Sequence, residues 1–249
     1  MTRKASEKAA QENGQWWRYR VLTRDFLLNA DCKTAFGAIE ESLFWSVEQR
    51  AVSLAATLAC RPNDSAVWIF GYGSLMWNPA LTFEESCTGT LEGWHRAFCL
   101  RLTAGRGTAC QPGRMLALKE GGRTTGVAYR LPDSTLEEEL TLLWKREMIT
   151  GCYLPTWCSL TLDDGRTVNA LVFIMDPRHP LYESDTRTRT IAPLIAAASG
   201  PLGTNAQYLF SLDQELRKLG MRDACLDELV AKVKALLGAQ EEQGIVNVF

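Results

Sequence analysis

Histidine is scarce in this chain: its 249 residues include only two, His95 and His179, which lie far apart in the sequence. The eight cysteines include no pair with the Cys-x-x-Cys spacing. A zinc site needs several such ligands at close spacing, so the sequence predicts no metal site. The same scarcity argues against mechanisms in which a histidine activates a serine or a cysteine. We therefore expect any catalysis to depend on a carboxylate.

An excess of charge is also absent, because 27 basic residues face 29 acidic ones. The chain therefore lacks the basic surface of a general nucleic-acid binder. The longest uncharged stretch, residues 65–83, contains Gly71, Gly73 and Pro79, which would interrupt a membrane-spanning helix. The polar first residues of mixed charge do not resemble a signal peptide. We expect a cytoplasmic protein that binds neither nucleic acid nor a membrane, with reduced cysteines mostly in its core.

Apolar and alternating runs dominate the middle of the chain, and helical periodicity dominates its two ends. The predicted strands cover residues 67–70, 91–102, 115–118, 125–131, 156–162 and 167–175, and the predicted helices cover residues 136–148, 206–219 and 226–237. Turns are predicted at Glu120-Gly121-Gly122 and, on a strong Asp-Gly signal, at Asp163-Asp164-Gly165-Arg166. This pattern predicts an α/β fold of the α+β type: a mixed, largely antiparallel, curved sheet or barrel with flanking helices.

No repeat and no linker divides the chain. We therefore predict a single domain over residues 21–249, which begins with a helical segment at about residues 31–60. Residues 1–20 show no clear periodicity and are expected to form a flexible extension. Two alternatives remain for this extension: a basic arm, or a true translation start near Val21.

A glycine-rich segment, Phe70-Gly71-Tyr72-Gly73-Ser74-Leu75-Met76, directly follows a predicted buried strand. It is not a P-loop, since no Gly-Lys-Ser/Thr follows, and it lacks the third glycine of a dinucleotide-binding fingerprint. Positive φ angles at the glycines beside Tyr72 would turn successive backbone N–H groups toward one point, where an anion would bind. The alternative is a tight turn at the end of a strand.

The predicted helix at residues 136–148 carries a carboxylate at the end of its apolar face. One side of this helix presents Leu136, Leu140, Leu143 and Glu147. Lys145 and Arg146 are expected to point elsewhere. Ser134 and Glu137 resemble a capping box that starts the helix near Thr135.

Glu147 is a candidate proton acceptor. Burial raises the pKa of a carboxylic acid, and the negative end of the helix dipole acts in the same direction. A carboxylate with a raised pKa is suited to accept protons near neutral pH. The alternative is a partly buried ion pair between Glu147 and an arginine or lysine.

Two other groups of residues carry weaker signals. Cys152 and Cys158 would need one of the two histidines as an activating base, so core packing is expected for both. Asn205 is expected to cap the helix that follows the loop at residues 200–205. Tyr208, in the first turn of that helix, either packs in the core or hydrogen-bonds a ligand, and the residues alone favour the core.

Residues 67–79, VWIFGYGSLMWNP, resemble the signature loop of the glutathione-specific γ-glutamylcyclotransferases, the ChaC-like family. The resemblance continues in the family's order and spacing through Gly93-Trp94-His95-Arg96, Arg106-Gly107, Pro112-Gly113-Arg114, Gly126-Val127-Ala128-Tyr129, Arg146-Glu147 and residues 200–208. It extends over about residues 26–237. It implies a curved-sheet γ-glutamylcyclotransferase fold and the cleavage of glutathione into 5-oxoproline and cysteinylglycine, without metal or cofactor.

The resemblance also implies roles for single residues. The α-amine of the substrate would attack its own γ-glutamyl carbonyl, while Glu147 accepts the amine's proton and returns one to the departing nitrogen. The backbone N–H groups of residues 71–76 would bind the α-carboxylate or the developing oxyanion, and Tyr208 would orient polar groups of the substrate. Some relatives have a shorter Arg-Glu-Lys-Gly-Gly-Tyr where this chain has REMITGCY at residues 146–153, so the role of Tyr153 stays open.

The expected partner is the small molecule glutathione, and the chain is expected to be a monomer or a weak homodimer. One alternative is a non-enzymatic regulator linked to cation transport, whose glycine-rich loop senses an acidic metabolite. Another is a cyclotransferase that acts on other γ-glutamyl amides. Release of 5-oxoproline from glutathione tests the first alternative, and a panel of γ-glutamyl dipeptides tests the second.

Residues 1–20 are predicted to be dispensable, because they lack periodicity and lie outside the resemblance. A chain that starts at Val21 should keep the melting temperature and the rate of 5-oxoproline release of the full chain. A loss of several degrees would show instead that the extension packs against the domain.

Overall fold

A computed structural model describes residues 22–28, 36–37, 39–62 and 66–242. The expected extension at residues 1–20 lies outside these ranges, and the single domain over residues 21–249 stays a prediction. Within the helical segment expected at about residues 31–60, the described residues form a 3₁₀ turn at Glu41–Leu43 and a helix at Val47–Ala59.

The described residues contain six α-helices and seven β-strands. The helices are α1 Arg24–Leu28, α2 Val47–Ala59, α3 Leu136–Glu147, α4 Thr188–Ala197, α5 Asn205–Lys218 and α6 Ala224–Glu242. The strands are β1 Trp68–Gly71, β2 Glu85–Leu102, β3 Gly113–Arg130, β4 Tyr153–Leu162, β5 Thr167–Met175, β6 Ser199–Gly200 and β7 Gly203–Thr204. Further 3₁₀ turns lie at Ser74–Met76 and Asp133–Thr135.

Strands β1 to β5 close into a barrel in the order β1-β3-β2-β4-β5. Only β1 and β5 run parallel in this barrel, and its other pairs are antiparallel. Closure gives every strand of the barrel a hydrogen-bonded neighbour on both sides, and β2 and β4 pair only through residues 89–90 and 161–162. This confirms the predicted mixed, largely antiparallel, curved sheet with flanking helices.

The longest strands, β2 and β3, show where a predicted turn is wrong. The chain does not reverse at Glu120-Gly121-Gly122, because β3 runs through these residues. Gly121, Gly122 and, on the facing strand, Gly93 have positive φ angles of 99°, 71° and 83° where the pairing shifts register. Glycine tolerates such angles, so these residues form a bulge within the ladder. The predicted hairpin between β4 and β5 is confirmed.

Buried side chains form two clusters on opposite faces of β1. Trp68 and Phe70 belong to the first cluster, which also contains side chains of α4, α5 and α6. Val67 and Ile69 belong to the second, which contains side chains of α3. Successive side chains of a strand point to opposite faces, so α3 and the three C-terminal helices pack against different faces of this strand.

The start of α3 differs from the prediction. Ser134 and Glu137 form no capping box, because a 3₁₀ turn at Asp133–Thr135 precedes the helix. The N–H group of Thr135 bonds the carbonyl of Pro132 in that turn, and the Thr135 side chain makes no capping hydrogen bond. The helix nevertheless ends at Glu147, one residue before the predicted end.

The start of α5 is also corrected, by one residue. Thr204 is the N-cap, in a capping box with Gln207. Asn205 is instead fully buried, and its side-chain amide bonds both backbone groups of Arg114 in β3 at 2.7 and 2.9 Å. These two bonds join the start of α5 to the barrel, which positions Tyr208 one turn later.

Seven cysteines lie in the described residues, and all are free. Cys99 and Cys152 are buried, and Cys87 and Cys158 pack against the core, whereas Cys60, Cys110 and Cys225 are exposed. Four of the seven described cysteines therefore lie in or against the core, as expected. The exposed ones lie at helix termini or in the loop between β2 and β3, where the chain meets solvent. Across the described ranges, no helix has the length and apolar character needed to cross a membrane.

An ion pair joins the N-terminal region to α3. Arg24 in α1 contacts both carboxylate oxygens of Glu139 at 2.6 and 2.8 Å, and the Glu139 side chain is 1% exposed. The N–H group of Thr82 donates to the same carboxylate at 3.0 Å. Burial by itself raises the pKa of Glu139, but the hydrogen bonds from Arg24 and Thr82 outweigh it and hold the pKa below its ordinary value.

Arg24→Ala should destabilise the protein at neutral pH, because it leaves the buried Glu139 carboxylate without its cationic partner. We expect the free energy of unfolding to fall by about 1–3 kcal/mol. The difference should shrink as the pH falls through the lowered pKa of Glu139, since protonation removes the charge that Arg24 binds. Urea unfolding at neutral and at acid pH measures both effects.

Arg178→Ala is the matched control, since Arg178 pairs with Asp176 through a side chain that is 81% exposed. This substitution should change the free energy of unfolding by less than about 1 kcal/mol. An equal change in the free energy of unfolding for the two substitutions would contradict a larger contribution of the buried Arg24–Glu139 pair.

Candidate active site

A cavity of about 170 Å³ opens where the loop after β1 meets the end of α3. Residues 72–75 form one part of its lining, Glu147 forms another, and Tyr208 from α5 forms a third. The structure therefore brings together the three features that the sequence singled out, although they are far apart in the chain.

The loop at residues 72–75 is held by hydrogen bonds to three strands of the barrel. Arg96 Nε in β2 donates to the Tyr72 carbonyl at 2.8 Å, and Tyr129 Oη in β3 donates to the Leu75 carbonyl at 3.0 Å. Tyr72 Oη itself donates to the Phe173 carbonyl in β5 at 2.6 Å. The loop is therefore a rigid part of the barrel end.

Two residues of the predicted loop site lie away from the cavity. Gly71 belongs to β1, where it pairs with Val127, and Met76 is buried in the core. The N–H group of Met76 donates to the Gly73 carbonyl at 2.9 Å, so it is not available to a ligand. Of the predicted site at residues 71–76, residues 72–75 therefore line the cavity.

The glycines of the loop provide space and not positive φ angles, so that part of the prediction is wrong. Gly73 has a φ of −132°, and Gly71 is not among the glycines with positive φ. A Cβ atom at Gly73 would lie 2.9 Å from Tyr208 Oη, and one at Gly71 would lie 3.0 Å from Leu75 Cβ. The missing side chains let the loop and Tyr208 approach each other.

Three successive backbone N–H groups of this loop are available to a ligand. The N–H groups of Gly73, Ser74 and Leu75 make no hydrogen bond with another residue in the described part of the chain. All three residues line the cavity. Consecutive backbone N–H groups without acceptors are suited to an anion, because their partial positive charges add at one place.

Glu147 is the last residue of α3, and its side chain is 16% exposed where it lines the cavity. Burial raises the pKa of Glu147, and the charge of the neighbouring Arg146 offsets part of this rise. Glu147 Oε1 lies 2.9 Å from Arg146 Nε, so the ion pair weighed as the alternative is present. The carboxylate is both paired and able to face a substrate.

Arg146 is a residue of the cavity that helical periodicity missed. The expectation that it points away is wrong: its side chain is 3% exposed and also bonds Ser74 Oγ at 2.9 Å and the carbonyls of Asn78 and Pro79. Arg146 lies outside the apolar face of α3, but its side chain is long enough to reach the loop at Ser74 from the last turn of the helix. Its place beside Glu147 in the family motif was the available signal. Lys145 does point elsewhere and reaches the Leu27 carbonyl at 3.4 Å.

Three buried tyrosines surround the carboxylate. Tyr72, Tyr153 and Tyr208 all line the cavity, and burial together with the charge of Glu147 raises the pKa of each. Each hydroxyl therefore keeps its proton and can donate a hydrogen bond. The Tyr208 ring packs against Trp77, with 5.5 Å between ring centroids, so Tyr208 is part of the core and of the cavity at once.

The cysteines near α3 are poorly suited to nucleophilic attack. Cys152 lines the cavity, but burial raises its pKa to about 12, and burial also raises the pKa of Cys158. His95 and His179 bond backbone groups of other residues. In the described ranges, no group of three or more His, Cys, Asp or Glu side chains is arranged to hold a metal ion.

The closed barrel and its flanking helices make the described part of the chain an α+β protein. Residues 67–236 match the family model described as ChaC-like protein. The chain belongs to the ChaC-like family, which confirms the resemblance.

Named relatives and a solved structure agree with this assignment. The chain is 81% identical over 227 residues to the glutathione-specific γ-glutamylcyclotransferase of Escherichia coli (strain K12), covering 91% of this chain and 98% of the relative. It is 32% identical over 180 residues to the glutathione-specific γ-glutamylcyclotransferase 1 of Homo sapiens, covering 71% and 80%. The crystal structure of a yeast γ-glutamyl cyclotransferase specific to glutathione has the same fold, with a TM-score of 0.64 and 22% identity over 69% of this chain and 97% of that one.

Gly73→Val should abolish binding of glutathione, the ligand that the resemblance implies. The new side chain would collide with Tyr208 Oη and push the loop out of its place at the cavity. Isothermal titration of the folded variant measures the affinity. Gly238→Val is the control, because nothing lies within 4 Å of a Cβ atom there. Unchanged affinity in the Gly73 variant would contradict the assignment of the loop.

Proposed function

We propose that this chain is a glutathione-specific γ-glutamylcyclotransferase, which converts glutathione into 5-oxoproline and cysteinylglycine. The observation that supports this most directly is the Glu147 carboxylate in one cavity with the backbone donors of residues 73–75. The names of relatives at 81% and 32% identity support the same reaction. The proposal includes a cytoplasmic location, no cofactor, and a monomer or a weak homodimer.

The substrate carries its own nucleophile in this reaction. The α-amino nitrogen of the γ-glutamyl unit attacks the side-chain carbonyl carbon, and a new C–N bond closes a five-membered ring. The amide bond between that carbon and the cysteinyl nitrogen breaks. Holding the γ-glutamyl chain folded lowers the barrier, since well-oriented intramolecular steps reach effective molarities of about 10⁵–10⁸ M. No serine or cysteine nucleophile is needed.

Glu147 moves the protons of the reaction. The α-amine is an ammonium at neutral pH and must lose a proton before it attacks. The Glu147 carboxylate accepts this proton and later returns one to the departing cysteinyl nitrogen, so the protons lost by one nitrogen are gained by the other. Burial supports this role, because the raised pKa brings the carboxylate closer to the pH at which it must work.

The loop and Tyr208 orient the substrate. The N–H groups of Gly73, Ser74 and Leu75 bind an oxygen anion of the γ-glutamyl unit, which is either the α-carboxylate or the oxyanion that forms on attack. Tyr208 Oη lies against the loop at Gly73 and donates a hydrogen bond to a polar group of the same unit. Arg146 holds Ser74 and Glu147 together, so the base and the loop keep a constant separation.

Glu147→Gln should lower turnover by at least about 10²–10⁴-fold, because the amide keeps the shape but accepts no proton. Stability should fall modestly, since the amide oxygen can still accept from Arg146 but the buried guanidinium loses its anionic partner. Release of 5-oxoproline and the melting temperature are measured on the same preparation. In the wild type, kcat/KM should fall as the pH decreases through the raised pKa of Glu147.

Glu138→Gln is the matched control, because Glu138 is an exposed residue of the same helix. It should leave turnover and its pH dependence unchanged. A folded Glu147 variant with near-normal turnover would contradict the assignment of the proton acceptor. A variant that loses about 3–5 kcal/mol of stability but stays active when folded would indicate a purely structural ion pair.

A further inference from the structure

Three apolar residues from the start of the chain line the same cavity as Glu147. Leu22, Phe36 and Ile39 contribute to its lining, although they lie outside the family match at residues 67–236. We call these three residues the N-terminal wall. The proposed mechanism makes no use of them.

Two members of the wall are bonded to the parts of the chain that frame the cavity. The Leu22 carbonyl accepts a hydrogen bond from Asn78 Nδ2 at 2.9 Å, and Asn78 is one of the residues that Arg146 binds. The Phe36 carbonyl accepts a hydrogen bond from the N–H group of Gly105. Gly105 directly follows residues 103–104, which also line the cavity. The wall is thus bonded to the chain on two sides of the cavity.

Contacts of residues between and after the members of the wall fasten the same region to α3 and to the segment that follows this helix. Arg24 pairs with the buried Glu139, and Leu27 is 1% exposed. The N–H group of Trp45 donates to the Ile149 carbonyl at 2.9 Å, and the Trp45 ring occupies the place where a Cβ atom of Gly151 would lie. Such buried contacts make the wall a constant part of the cavity and not a loosely attached segment.

We infer that the N-terminal wall binds the cysteinylglycine half of glutathione and sets the affinity for it. This inference rests on the proposed function. The γ-glutamyl unit must lie at Glu147 and at the N–H groups of residues 73–75, because its amine and its oxygens react there. The lining that remains for the leaving half includes the wall and residues 103–104. The apolar wall suits the small, weakly polar CH₂–SH group of the cysteinyl residue.

Phe36→Ala tests whether the wall contributes to substrate binding, measured by KM, and not to the chemical step, measured by kcat. The variant should raise KM for glutathione about 10-fold, as expected for a lost apolar contact, with kcat within about 2-fold of the wild type. Product inhibition separates the two halves of the substrate. The inhibition constant of cysteinylglycine should rise about 10-fold as well, whereas that of 5-oxoproline should stay unchanged.

Ile39→Ala should shift the same constants in the same direction, and it decides the matter if Phe36→Ala fails to fold. Leu28→Ala is the matched control: Leu28 belongs to the same region, is 57% exposed, and does not line the cavity. It should change none of these constants.

Two results would overturn the inference. The first is an unchanged KM for glutathione together with an unchanged inhibition constant for cysteinylglycine in the folded wall variants. The second is an equal rise in the inhibition constants of cysteinylglycine and 5-oxoproline. Neither result touches the proposed function, which fails separately if the wild-type protein releases no 5-oxoproline from glutathione.

Discussion

The arrangement of the cavity depends on the buried guanidinium of Arg146. A charge that is 3% exposed must be satisfied by neighbouring groups, because its desolvation otherwise costs several kcal/mol. Arg146 meets this need with Glu147, with Ser74 Oγ and with the carbonyls of Asn78 and Pro79. One side chain therefore holds the end of α3 against the glycine-rich loop, and the base and the anion-binding donors share a single rigid frame.

Burial and the charge of Arg146 have opposing effects on the pKa of Glu147. Burial raises its pKa and Arg146 offsets part of that rise, so the carboxylate stays able to take up and release protons. The thiol and phenol groups of the cavity are held in their neutral forms, because burial raises the pKa of the Cys152 thiol to about 12 and raises the pKa values of the three tyrosines. Among the described residues that line the cavity, Glu147 is thus the one carboxylate, beside hydroxyl and N–H groups that donate hydrogen bonds. This arrangement suits a reaction whose nucleophile belongs to the substrate.

Several parts of the fold and of the site were predictable from local patterns. The alternation of apolar and polar residues and the Asp-Gly turn predicted the hairpin of β4 and β5. Helical periodicity predicted Glu147 at the end of the buried face of α3. The errors arose where a local signal has two outcomes. Gly121 and Gly122 permit a turn or a bulge, and the long pairing with β2 selected the bulge. Gly73 permits either a positive φ angle or the close approach of another residue to the backbone. In the structure it allows the close approach of the Tyr208 side chain.

The sequence by itself determined the fold class, the family, and the residue types available for chemistry: few histidines, no metal-binding spacing, and a carboxylate at a helix end. Only the tertiary structure decided that Arg146 turns inward, that residues 72–75 face the cavity while Gly71 and Met76 do not, and that Leu22, Phe36 and Ile39 complete its lining. The physical reason is that periodicity describes neighbours three or four residues apart. The cavity is instead formed by contacts between residues far apart in the chain, which closure of the barrel and burial of Arg146 bring together.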